Sequence, residues 1–401
     1  MMKRHVGVLS ACFLIVFFHY ALRYSYGTLL PEMMPSLSIS KAQAGIIYFS
    51  YFIAYTVFSP ILGLLSDRYD VRILLTIFVA LMGGGAFLMA YPTSELQASL
   101  FFAVAGVGCS AGWAPVMVLA QRWTSDRRRG MSLSFVNVGA SLGVMSAGAI
   151  TPLFVVAYDW RAGWMSLGVL GFVLAIVSFF LIRSHPQTQS NPATKPEGAE
   201  RRVDTTYQTL LSDKHFWLIG LANLFTGFAT VVPFTFLSTY AVQELLIPYE
   251  SAARLITVIG VGGIMGKLIL GPVSDKCGRI KILVISNILI AGGNLAVAYS
   301  RGWILTAFAF IFGIGYGACW SLYAACASDF FSKQAVGSII GLWTVYVGIG
   351  CMISPVIAGW IADTTGTLMW SFLIAMSGGI ASLLLLLPML KVPQVSSVKK
   401  K

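Results

Sequence analysis

Three ionisable residues stand inside apolar sequence. Arg23, Lys267 and His19 each fall within a run long enough, at about 20 residues, to cross a hydrocarbon layer as a helix. An ionisable group there costs several kcal/mol unless it meets water, a partner or a ligand. Two such cations would seat and neutralise an anion. Histidine alone among the three titrates near pH 7 when unperturbed, so His19 is the candidate proton carrier. His19 and Arg23 are four apart and share a helix face, with Tyr26 adjacent. None of the 15 acidic residues falls deep within an apolar run. A cavity with cations and no carboxylate attracts anions and repels cations.

The elements that must position these groups follow from composition. Of 401 residues, 57% are hydrophobic and only 10% are charged, against roughly 25% charged in soluble domains. That excludes an ordinary soluble enzyme and a disordered chain. Twelve apolar runs recur, at 6–30, 44–65, 71–91, 96–120, 130–156, 162–182, 215–240, 252–272, 281–299, 303–327, 335–361 and 367–390. Backbone groups in lipid need internal partners, so runs of this length are helices. The short alternating strands of a membrane barrel do not appear. Arg23 lies seven residues before residue 30, about 11 Å deep, and Lys267 lies eight before Asp275, about 12 Å in. An arginine at 11 Å can also snorkel to headgroups, and Lys267 can serve as a structural counter-charge.

Charge position resolves the net +12. With the N-terminus in the cytoplasm, 21 Lys and Arg fall on inner segments, 4 on outer segments and 2 within spans. This positive-inside bias places both termini in the cytoplasm and requires an even number of helices. It also accounts for the basic charge without a nucleic-acid partner. The N-terminal run continues past Cys12, and too few apolar residues precede Leu9 for a signal peptide, so it is read as helix 1. Five of the six cysteines lie within spans and none forms a C-x-x-C pair, so neither disulfides nor a metal site is expected. The polar stretch 185–213 reads as a cytoplasmic linker. It divides an N-terminal six-helix half, 1–184, from a C-terminal half with a short basic tail, 214–401. Enzyme signatures fail: Gly260, Gly262 and Gly266 lack the dinucleotide spacing and sit within a span. No catalytic residue or cofactor is assigned.

The two halves repeat. Gly106, Gly108, Ala111 and Trp113 recur as Gly313, Gly315, Ala318 and Trp320 at offset 207; Gly63, Ser66 and Asp67 recur as Gly271, Ser274 and Asp275 at offset 208; Pro152 pairs with Pro355 at offset 203. Duplicated helical halves with a site between them at mid-depth are a transporter architecture. Gly63-x-Leu65-x-Asp67-Arg68-x-x-x-Arg72 resembles the loop 2–3 signature of the major facilitator superfamily, and Gly271, Asp275, Lys276, Gly278, Arg279 and Lys281 form its fuller second copy. The resemblance spans residues 6–390. Asp70 departs from it, standing where a glycine is usual. The resemblance implies an all-α membrane protein with the twelve-helix major facilitator fold. It also implies that Asp67, Arg68, Arg72, Asp275, Lys276 and Arg279 gate the transporter by holding an outward-open state. The alternative is an exposed ion pair worth about 0–1 kcal/mol.

Arg23, eight before Pro31, is similar to the helix 1 arginine of anion:cation symporters and organophosphate antiporters, which contacts substrate carboxylate or phosphate. Lys267 matches a basic position in helix 8 of monocarboxylate and nitrate carriers, where arginine is usual. Lysine replaces a planar fork by a point charge. Asp159-Trp160-Arg161 resembles the outer turn after helix 5 of organic-anion carriers. By the same resemblance helices 1, 4, 7 and 10 line the centre. Trp113 and Trp320 are repeat mates, and Tyr316, Trp320 and Tyr323 share a face; they wall a substrate or pack against lipid. Asn137, Asn223 and Tyr346 are candidate polar contacts, and the stripe Tyr48, Tyr51, Tyr55 reads as packing. The expected function is a secondary transporter of a small organic anion, a carboxylate first. It would sit in the cell inner membrane, work as a monomer by alternating access, and be proton-coupled through His19 or the substrate itself. An exporter of hydrophobic compounds and a non-transporting membrane sensor are the alternatives.

Overall fold

The computed structural model describes residues 2–124, 129–182, 212–331 and 336–392, and among these not the side chains at 2–4, 63, 64, 66–68, 129, 130 and 337. The side chains of Asp67 and Arg68, and residues 185–211 of the expected linker, therefore lie outside the described set. Among the described residues, twelve spans are long and apolar enough to cross a membrane. They are built from α1 (Met2–Leu37), α2 (Lys41–Arg68), α3 (Val71–Leu88), α4 (Glu95–Cys109) with α5 (Ala114–Arg122), α6 (Arg129–Ala149) with α7 (Thr151–Ala157), and α8 (Trp160–Leu181). The remaining six are α9 (Lys214–Gln243), α10 (Tyr249–Cys277), α11 (Arg279–Tyr299), α12 (Trp303–Phe330), α13 (Val336–Thr365) and α14 (Met369–Leu386).

Two spans are interrupted where the sequence suggested continuous helix. The fourth breaks at residues 110–113, just before Pro115 in the first turn of α5. The fifth breaks at Ile150, just before Pro152 in the first turn of α7. Proline lacks the N–H that would bond back across each break, and the first helical turn is where that loss costs least. Six other prolines, Pro31, Pro35, Pro60, Pro233, Pro272 and Pro355, are carried inside continuous helices, where neighbouring helices support the backbone.

The two copies of the loop signature solve their turn differently. Gly278 adopts φ +98°, a conformation that favours glycine, and opens α11. Asp70 has φ −60° and caps α3, accepting from the Arg72 N–H at 2.8 Å. An N-cap carboxylate replaces the glycine, so the departure from the pattern leaves the turn intact.

The loops 38–40, 89–94, 158–159, 244–248, 300–302 and 366–368 share one face, called here the remote face; the start of α1 and the end of α14 share the other, the terminal face. Across the remote face the first six spans meet the last six. A side chain at Gly45 on α2 would overlap the Pro355 carbonyl on α13, so these backbones touch. Asp363 of α13 accepts from the Lys41 and Ala42 N–H groups of α2 at 3.0 and 2.8 Å. Lys41 Nζ reaches Glu244 at 3.4 Å. Tyr249 donates to the Thr28 carbonyl, and Thr257 to that of Met145. The remote face is closed.

Candidate functional site

A cavity of about 450 Å³ lies between the first and last six spans. Its lining includes Gln121 and Ser134, within about two turns of the terminal ends of α5 and α6, so it extends toward the terminal face. Its inner end is roofed by Tyr24 and Tyr316, whose hydroxyls bond at 2.7 Å between α1 and α12. Phe234 of α9 packs on both rings, at 4.1 and 4.7 Å between centroids.

Both cations line this cavity. Arg23 is deeper than its spacing suggested. Helix α1 runs on to Leu37, so fourteen residues, about 21 Å of helix, separate Arg23 from the remote end. The side chain turns inward to the cavity and not out to headgroups. The guanidinium is enclosed by the rings of Tyr55, Phe52, Tyr51 and Tyr20, at 4.8, 5.2, 5.5 and 5.6 Å from their centroids. Its Nε donates to the Tyr51 hydroxyl at 3.0 Å. The Tyr48–Tyr51–Tyr55 stripe, read from sequence as packing, thus serves Arg23. Tyr26 does not: it donates to the Ala44 carbonyl and stacks on Tyr48.

Lys267 faces α6 across the cavity. Its ammonium donates to Ser141 Oγ at 2.9 Å, to Asn137 Oδ1 at 3.0 Å and to the Asn137 carbonyl at 3.4 Å. All three acceptors are neutral. Ser141 is absent from the sequence-derived set, although its spacing of four from Asn137 marks the same helix face. Among the described residues no Asp or Glu lines the cavity, so neither positive charge is cancelled there.

The other candidates divide. Trp113, Trp320, Tyr316, Asn137 and Asn223 line the cavity. Asn223 is oriented by its own amide, which donates to the Trp343 carbonyl at 3.1 Å. Tyr323 lines it too, but its hydroxyl is engaged in a buried cluster with Thr226 and Ser382 at 2.8 and 3.2 Å. Tyr346 is not in the lining; it packs edge-on against Phe216 and Trp217. His19 is not in the lining either. It is 1% exposed, and its imidazole packs beside Tyr20, Tyr55 and the break at residues 110–113. A Cβ at Gly112 would collide with His19 Nδ1. Gly112→Ala is therefore expected to lower stability by about 1–3 kcal/mol, the usual cost of overpacking. Adding His19→Ala should restore part of that loss in thermal denaturation; strictly additive losses would show that the two do not touch.

The described residues that the resemblance implies for gating lie at the terminal face. Arg279 pairs with Asp329 at 3.2 Å and Asp275 at 3.6 Å, and donates to the Ala325 carbonyl at 2.8 Å. Arg72 donates to the Phe179 carbonyl at 2.6 Å and stacks on that ring. Lys276 lies exposed in the same terminal groove as Arg279. These contacts of Arg72, Asp275 and Arg279 stay within the first six spans or within the last six.

Comparison with known proteins agrees with this architecture. The family model described as Major Facilitator Superfamily matches residues 12–264 and 243–401. A hexuronate transporter of Bacillus subtilis (strain 168) is 27% identical over 409 residues, covering 94% of this chain and 92% of that protein. The membrane sensor protein UhpC of Escherichia coli (strain K12) is 25% identical over 420 residues, covering 96% and 91%. The crystal structure of a mutant of the nucleoside transporter NupG superposes with a TM-score of 0.81 at 14% identity, covering 96% of this chain and all of that one. That likeness concerns the fold alone. The matched family model covers nearly the whole apolar chain, and the chain belongs to the major facilitator superfamily: it is a multi-pass membrane transporter and not an enzyme.

Proposed function

We propose that this transporter carries a small organic anion, a carboxylate first, by alternating access. The observation that carries the reading is the pair Arg23 and Lys267, which line one cavity, one from each six-span half, with no acidic residue in the described lining. Such a site favours anions and disfavours cations. It also counts against an exporter of neutral hydrophobic compounds, for which two buried cations are only a cost. The similarity to proteins named as hexuronate and hexose phosphate transporters supports the anionic class. The bias of 21 inner to 4 outer basic residues supports a cytoplasmic terminal face. In that orientation the present conformation is closed outside and open inside. Residues 1–184 and 214–401 would rock about the cavity, joined by 185–213, with the terminal-face charges gating the opposite state. The placement of His19 behind Tyr20 favours the substrate's own carboxylic acid as the carrier of any coupled proton.

Uptake into proteoliposomes tests this. Labelled D-glucuronate, lactate and glucose 6-phosphate should include at least one anion that accumulates above protein-free vesicles. A pH gradient separates coupled from uncoupled transport. If only neutral or cationic solutes move, the proposal is wrong. The relative named as a sensor favours a second reading, in which anions bind but do not cross. That reading predicts thermal stabilisation by an anion with no uptake of it.

A further inference from the structure

We infer that Tyr51 is a positioning residue for anion recognition: it sets the roll of the Arg23 guanidinium without touching the substrate. The inference rests on Arg23 being the anion's seat, as proposed above.

Tyr51 is fully buried and absent from the cavity lining, whereas Arg23 and Tyr55 both line it. Whatever Tyr51 does for a ligand it does through Arg23. Its hydroxyl accepts from Arg23 Nε at 3.0 Å. One turn before it, Tyr48 donates to the Arg23 carbonyl at 3.2 Å. Helix α2 therefore holds this residue at its backbone and at its side chain. A guanidinium is a planar fork whose selectivity for planar oxyanions depends on which edge it presents. Ring faces at 4.8–5.6 Å attract the charge, but they leave the edge that the group presents to the torsions of its flexible stem. The Nε bond is directional, and it removes that freedom by committing one nitrogen to the protein.

The seat of Tyr51 is built by the fold. A Cβ at Gly106 of α4 would collide with the Tyr51 carbonyl, so α4 presses on the backbone of this residue. The repeat mate of Gly106 is Gly313, and a Cβ there would collide with the carbonyl of Ile259. Ile259 is the position that offset 208 pairs with Tyr51. The same helix contact is thus made twice, once with an aliphatic residue and once with tyrosine. Only the copy beside Arg23 carries a hydrogen-bonding group, which points to a task in recognition and not in packing.

The test compares wild type, Tyr51→Phe, Tyr55→Phe and Arg23→Gln, each reconstituted as the full chain. The probes are D-glucuronate, lactate and glucose 6-phosphate. Tyr51→Phe keeps the ring and deletes the hydroxyl, which accepts from Arg23 and also meets the buried Cys109 thiol. Its KM should rise about tenfold, the scale of one hydrogen bond to a charged group, with kcat within about twofold. The preference for carboxylate over phosphate should narrow by a similar factor, because a freely turning guanidinium acts as a point charge. Loss of packing alone would lower the melting temperature and the amount of active protein, and would leave that preference ratio unmoved. An unchanged KM and an unchanged ratio in Tyr51→Phe, with transport lost in Arg23→Gln, overturn this inference and leave the anion reading standing. Transport retained in Arg23→Gln, or no anion moved or bound by wild type, removes both.

Discussion

Arg23→Gln is expected to lower kcat/KM for the transported anion about a hundredfold. Glutamine keeps a hydrogen-bonding head, on a shorter stem, and removes the charge. In a cavity shielded from water, a hydrogen bond to a charged group contributes about 1.5–3 kcal/mol, and each 1.4 kcal/mol is a factor of ten in affinity. The low surrounding dielectric set by four aromatic rings places the effect toward the upper end of that range. Arg23→Lys should fall between, retaining charge but losing both the Nε bond to Tyr51 and the planar stack. The fold should survive Arg23→Gln. Arg23 has no carboxylate partner among the described residues, so its removal leaves no opposite charge stranded. Melting temperature and transport, measured on the same preparation, separate recognition from stability. Transport within threefold of wild type in Arg23→Gln would exclude Arg23 from the anion's seat.

The scaffold is more legible than the site. Twelve spans follow from apolar runs that have only one satisfactory backbone structure in lipid, and the signature around Asp275 and Arg279 is local sequence. Polar partners are not local. Lys267 meets Asn137 and Ser141 across separations of 130 and 126 residues, and no spacing rule joins them. The tyrosines at 48, 51 and 55 are ambiguous for a different reason. Three aromatic residues at helical spacing have the same pattern whether they pack on lipid, on a helix or on a cation. Only the arrangement of α1 against α2 distinguishes these cases. Arg23 lies farther from its helix end than its spacing indicates because the apolar run closes near residue 30, whereas α1 carries both Pro31 and Pro35 to Leu37. Sharing a face with Arg23 draws His19 toward the cavity, yet the break before α5 lays the backbone at Gly112 directly over it.

Asp363→Ala is expected to shift the resting population toward the state open at the remote face, by about thirtyfold. Both oxygens of Asp363 accept backbone N–H groups at the first turn of α2. Those N–H groups have no partner within α2 and carry the positive end of its dipole. A carboxylate from the last six spans therefore caps a helix of the first six. Glu244 does a related task, accepting from Thr367 Oγ1 at 2.5 Å and the Leu368 N–H at 2.7 Å while facing Lys41 at 3.4 Å. When the remote face opens, the Asp363 bonds must break and their donors pass to water. The mutation thus removes stabilisation from the closed state only. Two charge-assisted bonds at this partly hydrated rim give about 2 kcal/mol, and the population ratio changes accordingly. Glu244→Gln should shift it less, since a partly exposed pair such as Lys41 and Glu244 contributes about 0–1 kcal/mol. Spin labels at Gln97 and Arg301, both exposed at the remote face, report the change directly in a Cys277→Ser background, because Cys277 is the exposed native thiol. The Asp363→Ala distance distribution should gain a longer component that wild type lacks. An unchanged distribution would mean that the seam is held by the helix contact at Gly45 and Pro355, with the carboxylate incidental to it. A closed-state lock of this size also has a kinetic signature. Removing it should speed the step that exposes the cavity at the remote face, so uptake and exchange would change by different factors.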